Sequence, residues 1–123
     1  MNRLCNEVVG VLRAVYRSPG RGHTRRAYQE AVAAALDARE LPFERNVWLP
    51  EHHKGLTLMC GYSLDFLIDD CLAIQVMEAD IERSRQEEQL RAGLRQSGQR
   101  VGLLVDFQAA TFDEGLKRVV LYE

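Results

Sequence analysis

Cys71-Leu72-Ala73-Ile74-Gln75-Val76-Met77 and Val101-Gly102-Leu103-Leu104-Val105-Asp106-Phe107 are two nearly continuous apolar runs that bracket a polar, helix-spaced segment. Runs without alternation belong to strands covered on both faces, the ordinary condition of parallel strands in an α/β sheet. Between them, residues 80–97 carry Ile81, Leu90 and Leu94 as helix anchors, with Gly98 placed to end the last turn. Strand, helix and strand over 71–107 therefore predict one right-handed parallel crossover.

The segments upstream complete a sheet. From Tyr62 to Ile68, period-two spacing sets Leu64, Phe66 and Ile68 on one face and Asp65 on the other, and Asp69-Asp70 makes a polar break. Phe43, Val47 and Leu49 alternate around Arg45 as a half-buried strand. His52-His53-Lys54-Gly55 reads as a hairpin turn leading into a strand through Leu56, Leu58 and Cys60. Earlier still, residues 4–17 repeat Val8, Val11, Leu12 and Val15 at helical spacing until Ser18-Pro19-Gly20 breaks the pattern. Thr24 is placed to cap a second helix carrying Ala27, Tyr28, Val32 and Leu36, which should stop before Pro42. Downstream, Gly115 precedes a last short strand from Lys117 to Tyr122. The expected fold is α/β: one domain over 1–123, with a mixed central β-sheet flanked by helices.

Bulk properties narrow the function classes. The 123 residues are 46% hydrophobic and 28% charged, an ordinary globular balance, and suit a single core. A net charge of −2 gives no global case for nucleic-acid binding, leaving only local basic clusters such as Arg17, Arg21, His23, Arg25 and Arg26. No apolar run approaches the ~20 residues of a membrane span, and the first residues lack signal-peptide character, so the expectation is no membrane and a cytoplasmic location. Cys5, Cys60 and Cys71 are odd in number, show no C-x-x-C spacing and read as buried small hydrophobes.

The order of elements joins several local phrases: Gly22-His23-Thr24-Arg25-Arg26-Ala27-Tyr28, Leu41-Pro42-Phe43-Glu44-Arg45, Lys54-Gly55-Leu56 and Gly61-Tyr62-Ser63-Leu64-Asp65-Phe66-Leu67-Ile68. Glu88-Gln89-Leu90, the run at 101–107 and Gly115-Leu116-Lys117-Arg118-Val119-Val120 follow in turn. Together they resemble the GxxExxY proteins, a group within the PD-(D/E)XK nuclease-like superfamily, from about residue 5 to residue 122. The resemblance implies a restriction-endonuclease-like core and a Mg²⁺- or Mn²⁺-dependent phosphodiesterase site. In that pattern an aspartate ends one strand, an acid and a lysine alternate on the next, and a helix glutamate assists. Two such carboxylates hold a hard cation, the cation makes hydroxide, and the lysine shares the acid's face because strand side chains alternate.

Carried over residue by residue, the resemblance puts Asp65 at the first metal-binding aspartate, Gln75 at the acid, Met77 at the lysine and Arg25 at the helix glutamate. Gly22, Tyr28 and the helix glutamine Gln89 match, whereas Gly93 stands where an aromatic residue is common. Gln75 offers a neutral carbonyl, Met77 donates no hydrogen bond, and Arg25 opposes a cation while favouring an anion. Arg26, Tyr28 and Gln89 are the candidate binding residues, and Asp65 admits two roles, surviving metal ligand or structural acceptor of backbone amides. The leading reading is a catalytically silent or impaired nuclease-fold protein that needs no cofactor and takes nucleic acid, nucleotide or protein as partner. One alternative is an active metal-dependent nuclease using relocated groups, with Asp65, Glu78 or Asp69 as ligands and an arginine standing in for the lysine. Another is a homo-oligomeric interaction protein pairing through edges such as Val119-Val120-Leu121-Tyr122.

Overall fold

The computed structural model of the chain describes residues 2–48, 51–53, 56–58 and 63–121. Two helices open it, α1 (Asn2–Arg17) and α2 (Arg25–Ala38), followed by β1 (Phe43–Trp48), β2 (Glu51–His53), β3 (Leu56–Leu58), β4 (Ser63–Ile68) and β5 (Leu72–Val76). Then come α3 (Arg83–Ser97), β6 (Val101–Val105), the short α4 (Phe112–Gly115) and β7 (Leu116–Val120). Five strands form a mixed sheet in the order β1-β4-β5-β6-β7. Among the described strands only β5 and β6 are parallel, with Leu72 opposite Val101 and Val76 opposite Val105, as the two apolar runs require.

Alternation along β5 and β6 divides the apolar residues between two sheet faces. Leu72, Ile74, Val76, Leu103 and Val105 pack beneath α1 and α2, against Val8, Leu12, Val32 and Leu36. Ala73 and Leu104 face the other way and meet Leu90 and Leu94 of α3. Gly102 shares that second face, where an added Cβ would lie 3.1 Å from a Leu90 methyl, so a side chain there would push α3 away. Gly98 ends α3 in the left-handed conformation at φ 75°, where glycine carries no Cβ penalty. Thr24 starts α2 with its hydroxyl accepting the Ala27 N–H at 3.1 Å. Both helix signals in the sequence are thus realised.

Several expectations need correction. The strand at 43–48 pairs with β4, not with the segment at 56–58, and β2 and β3 form a separate two-stranded sheet. His52 and His53 belong to β2 rather than to a turn, while the Lys54-Gly55 turn, Leu49, Cys60, Gly61 and Tyr62 lie outside the described residues. The four residues of α4 escaped the pattern because a single turn spans too little sequence to show a period. Leu64 does not share a face with Phe66 and Ile68: it joins the α3 cluster, while the other two pack beneath α1 and α2. The strand rotates at Asp65, and opposite it on β1 Asn46 takes φ 51°. That rotation creates the candidate site.

Candidate functional site

The antiparallel ladder between β4 and β5 runs from Ile68↔Leu72 to Phe66↔Ile74 and then stops. At the next position the side chains replace the ladder. Gln75 Oε1 accepts the Asp65 backbone N–H at 2.9 Å, and Asp65 Oδ2 accepts the Val76 backbone N–H at 2.8 Å. Two backbone donors that the missing rung would have left unpaired are satisfied in this way. The expected convergence of Asp65 and Gln75 from adjacent strands is observed.

The N-terminal turn of α2 enters the gap so opened. Thr24 fixes the start of the helix, which makes Arg25 its first residue and puts Gln29 one turn later on the same face. Arg25 Nη2 donates to Asp65 Oδ2 at 2.7 Å and Arg25 Nε donates to the Val76 carbonyl at 2.9 Å. Gln29 Nε2 donates to Asp65 Oδ1 at 3.0 Å. A carboxylate only 5% exposed thereby receives a guanidinium, an amide and a backbone N–H. Burial still pushes the Asp65 carboxyl above its ordinary value, since Arg25, the Val76 N–H and Gln29 oppose that shift without cancelling it.

Arg25 also reaches Glu78, whose carboxylate lies 3.8 Å from Nη1. Strand alternation beyond Gln75 and Met77 would send Glu78 to the opposite face, but β5 ends at Val76 and the rule lapses there. Gln86 then fixes the backbone of the loop. Its Oε1 accepts the Glu78 N–H at 2.8 Å, and its Nε2 donates to the Glu78 and Ile81 carbonyls at 2.9 and 2.7 Å. Gln86 is a polar residue in a helix whose sequence anchors are Ile81, Leu90 and Leu94. The structure buries it, because the loop needs all three of its hydrogen-bonding functions.

Two cavities flank the Arg25–Glu78 pair. One, of about 410 Å³, is a groove lined by Gln29, Asn46, Trp48, Ser63, Asp65, Gln75 and Gln89 among others. The second, of about 430 Å³, is lined by His23, Tyr28, Met77, Asp106, Phe107 and Gln108 with their neighbours. The candidate residues therefore separate. Asp65, Gln75, Arg25 and Gln89 come together in the groove. Met77 lines the second cavity and packs against the α3 cluster that includes Ala73. Tyr28 is buried, stacks on Phe107 at 4.7 Å between ring centroids, donates to the Gly20 carbonyl and accepts the His23 N–H. It secures the loop before α2. Arg26 is exposed on α2 and lines neither cavity. Asp69 and Asp70 border a separate depression with Pro42, Phe43 and Leu67.

Gln29, Gln86 and Trp48 are site residues that sequence reasoning misses. Gln29 carried a signal, being one helical turn from Arg25. The other two depend on where β1 and β5 end, which periodicity locates only loosely.

The residues do not fit a divalent cation. Such an ion needs several oxygen ligands, preferably anionic, whereas both Asp65 oxygens are engaged and a guanidinium already supplies the compensating charge. Among the described residues no three His, Cys, Asp or Glu side chains gather where they could share an ion. Neither a curated protein nor a solved structure matches the chain. A family model does, over residues 2–119; with its mixed sheet, its parallel crossover and the hydrogen bond between positions 65 and 75, the chain belongs to the PD-(D/E)XK nuclease superfamily.

Proposed function

We propose that this chain is a catalytically silent member of the superfamily, of the GxxExxY kind, in which an arginine has taken the place of the metal and the groove binds rather than cleaves. The observation that carries the reading is the Arg25–Asp65 ion pair at 2.7 Å inside the sheet's opened edge. A protein cation tethered on α2 neutralises the one aspartate retained from the motif. Gln75 directs its one carbonyl oxygen at the Asp65 N–H, and that neutral oxygen brings no charge to an ion. Met77 packs on apolar neighbours and has no means of orienting water. Activity calls for a metal-bound nucleophile and a positioned amine, and this chemistry supplies neither.

The test is direct. Single- and double-stranded DNA and RNA are incubated with the purified protein and Mg²⁺ or Mn²⁺. The expected result is no cleavage beyond that of Asp65→Ala. Metal-dependent cleavage that Asp65→Ala abolishes would overturn the reading.

A second reading, an active nuclease with relocated groups, draws on one observation. Glu78 and Asp65 both face Arg25, so two carboxylates would line one groove if the guanidinium moved away. Asp69 gives it no support, because it borders a different depression. Under this reading the unmodified protein cleaves with Mg²⁺ or Mn²⁺, and Glu78→Ala removes that cleavage.

A further inference from the structure

The groove beside Asp65 combines three properties that the silent reading leaves without a use. First, it is nearly devoid of free charge. Arg25 faces two carboxylates, Asp65 and Glu78, so the balance is slightly negative and disfavours a phosphate.

Second, its amides are oriented. Gln75 must direct Oε1 at the Asp65 N–H, which leaves its Nε2 as a donor with no partner among the described residues. Gln29 must direct Nε2 at the Asp65 carboxylate, which leaves its Oε1 as an acceptor in the same condition. The assignment that is often ambiguous for amides is settled here by what each one meets. Gln89, half-buried in the same lining, makes no hydrogen bond among the described residues and adds a donor and an acceptor.

Third, Trp48 lines the groove and is 63% exposed, a large flat apolar surface in water. Tryptophan is enriched at binding surfaces, where its ring supplies a large apolar contact.

A neutral, planar ligand with an apolar face and an edge carrying both donors and acceptors satisfies all three. We propose that this groove binds an unpaired nucleobase, stacked on Trp48 and held at its edge by Gln75, Gln29 and Gln89. Glutamine and asparagine amides pair bidentately with base edges, and exposed bases of single strands are captured by aromatic stacking with edge hydrogen bonds. A volume of about 410 Å³ admits a nucleoside. The inference rests on the silent reading in one respect: Arg25 stays on Asp65.

Trp48 is the only tryptophan, so its emission reports on the groove directly. The full chain is titrated with the four nucleosides, with short single-stranded homo-oligonucleotides and with monosaccharides, following Trp48 fluorescence. Saturable quenching by one or more nucleosides supports the proposal and identifies a free nucleoside as sufficient. Quenching by single strands alone also supports it, and assigns the base to a strand, provided that Trp48→Ala weakens binding measured by calorimetry. The expected loss is between about fivefold and a hundredfold, the worth of one stacked base. Trp48→Phe should recover most of it, and Gln89→Leu should cost about fivefold with changed base preference.

Absence of quenching by every nucleoside and oligonucleotide up to solubility overturns the inference. So does oligonucleotide binding that Trp48→Ala leaves unchanged, and so does quenching by sugars alone. Because cleavage is assayed separately, a failed titration with no cleavage leaves the silent reading standing.

Discussion

Replacing Arg25 by alanine removes the cation from Asp65, and its cost follows from the geometry. The guanidinium makes two hydrogen bonds, to Asp65 at 2.7 Å and to the Val76 carbonyl at 2.9 Å. Breaking a fully buried pair by removing one partner costs about 3–5 kcal/mol, whereas an exposed pair is worth about 0–1 kcal/mol. Asp65 is 5% exposed but Arg25 is 29% exposed, so water reaches the gap and part of the cost is screened. We expect Arg25→Ala to lose about 2–3 kcal/mol at pH 7, a fall in Tm on the order of 6–15 °C for a domain of this size. Urea unfolding reads the loss as a lower midpoint at unchanged slope. The same substitution in an Asp65→Asn background should cost at least ~1 kcal/mol less, since there is no charge left to strand. A divalent cation should restore what the guanidinium supplied. Mn²⁺ at a hundredfold over its dissociation constant would return about 2.7 kcal/mol to Arg25→Ala and nothing to the parent. A loss below ~0.5 kcal/mol, or equal losses in both backgrounds, would mean that the guanidinium does not compensate the Asp65 charge.

Three further outcomes follow from contacts in the site and beside it. Burial holds the Asp65 carboxyl above its ordinary value of 3.8, so its contribution is fully present below that value and is lost as pH rises through the folded value. Urea unfolding of the parent and of Asp65→Asn from pH 3 upward should therefore show the variant gaining on the parent as pH rises; a variant losing ground would reverse the sign. The triple change Arg25→Glu, Gln75→Glu and Met77→Lys adds two carboxylates and removes the opposing cation, so calorimetry should find tighter Mn²⁺ binding than in the parent before any turnover appears. Gly115→Ala should cost at least ~2 kcal/mol in urea, because an added Cβ would collide with the carbonyl of Asp106, the residue whose backbone N–H donates to the Gly115 carbonyl at 2.7 Å.

Much of the sheet was legible because burial on both faces writes itself as continuous apolar sequence. The runs at 71–77 and 101–107 announced the parallel pair, and Thr24 and Gly98 marked helix ends through local chemistry that needs no tertiary knowledge. What pairs with what was less legible. The strand at 43–48 could serve a neighbour in sequence or a distant one, and the hydrophobic pattern of a half-exposed edge strand does not choose. The site was legible in membership more than in mechanism. Asp65 and Gln75 meet as strand periodicity and the resemblance imply, yet the rotation at Asp65 that admits Arg25 breaks that periodicity. Glu78 shows the same limit, since alternation governs a side chain only while its strand lasts. Tyr28 matches the family phrase, but its hydroxyl is spent on the loop at Gly20 and His23.

Whether Arg25 holds the place of a metal ion is read by titrating the unmodified protein with Mn²⁺ in a calorimeter. No saturable heat is expected, because Asp65 already carries a guanidinium, an amide and a backbone N–H. Stoichiometric Mn²⁺ binding that Asp65→Ala abolishes would show that the site still takes a metal ion.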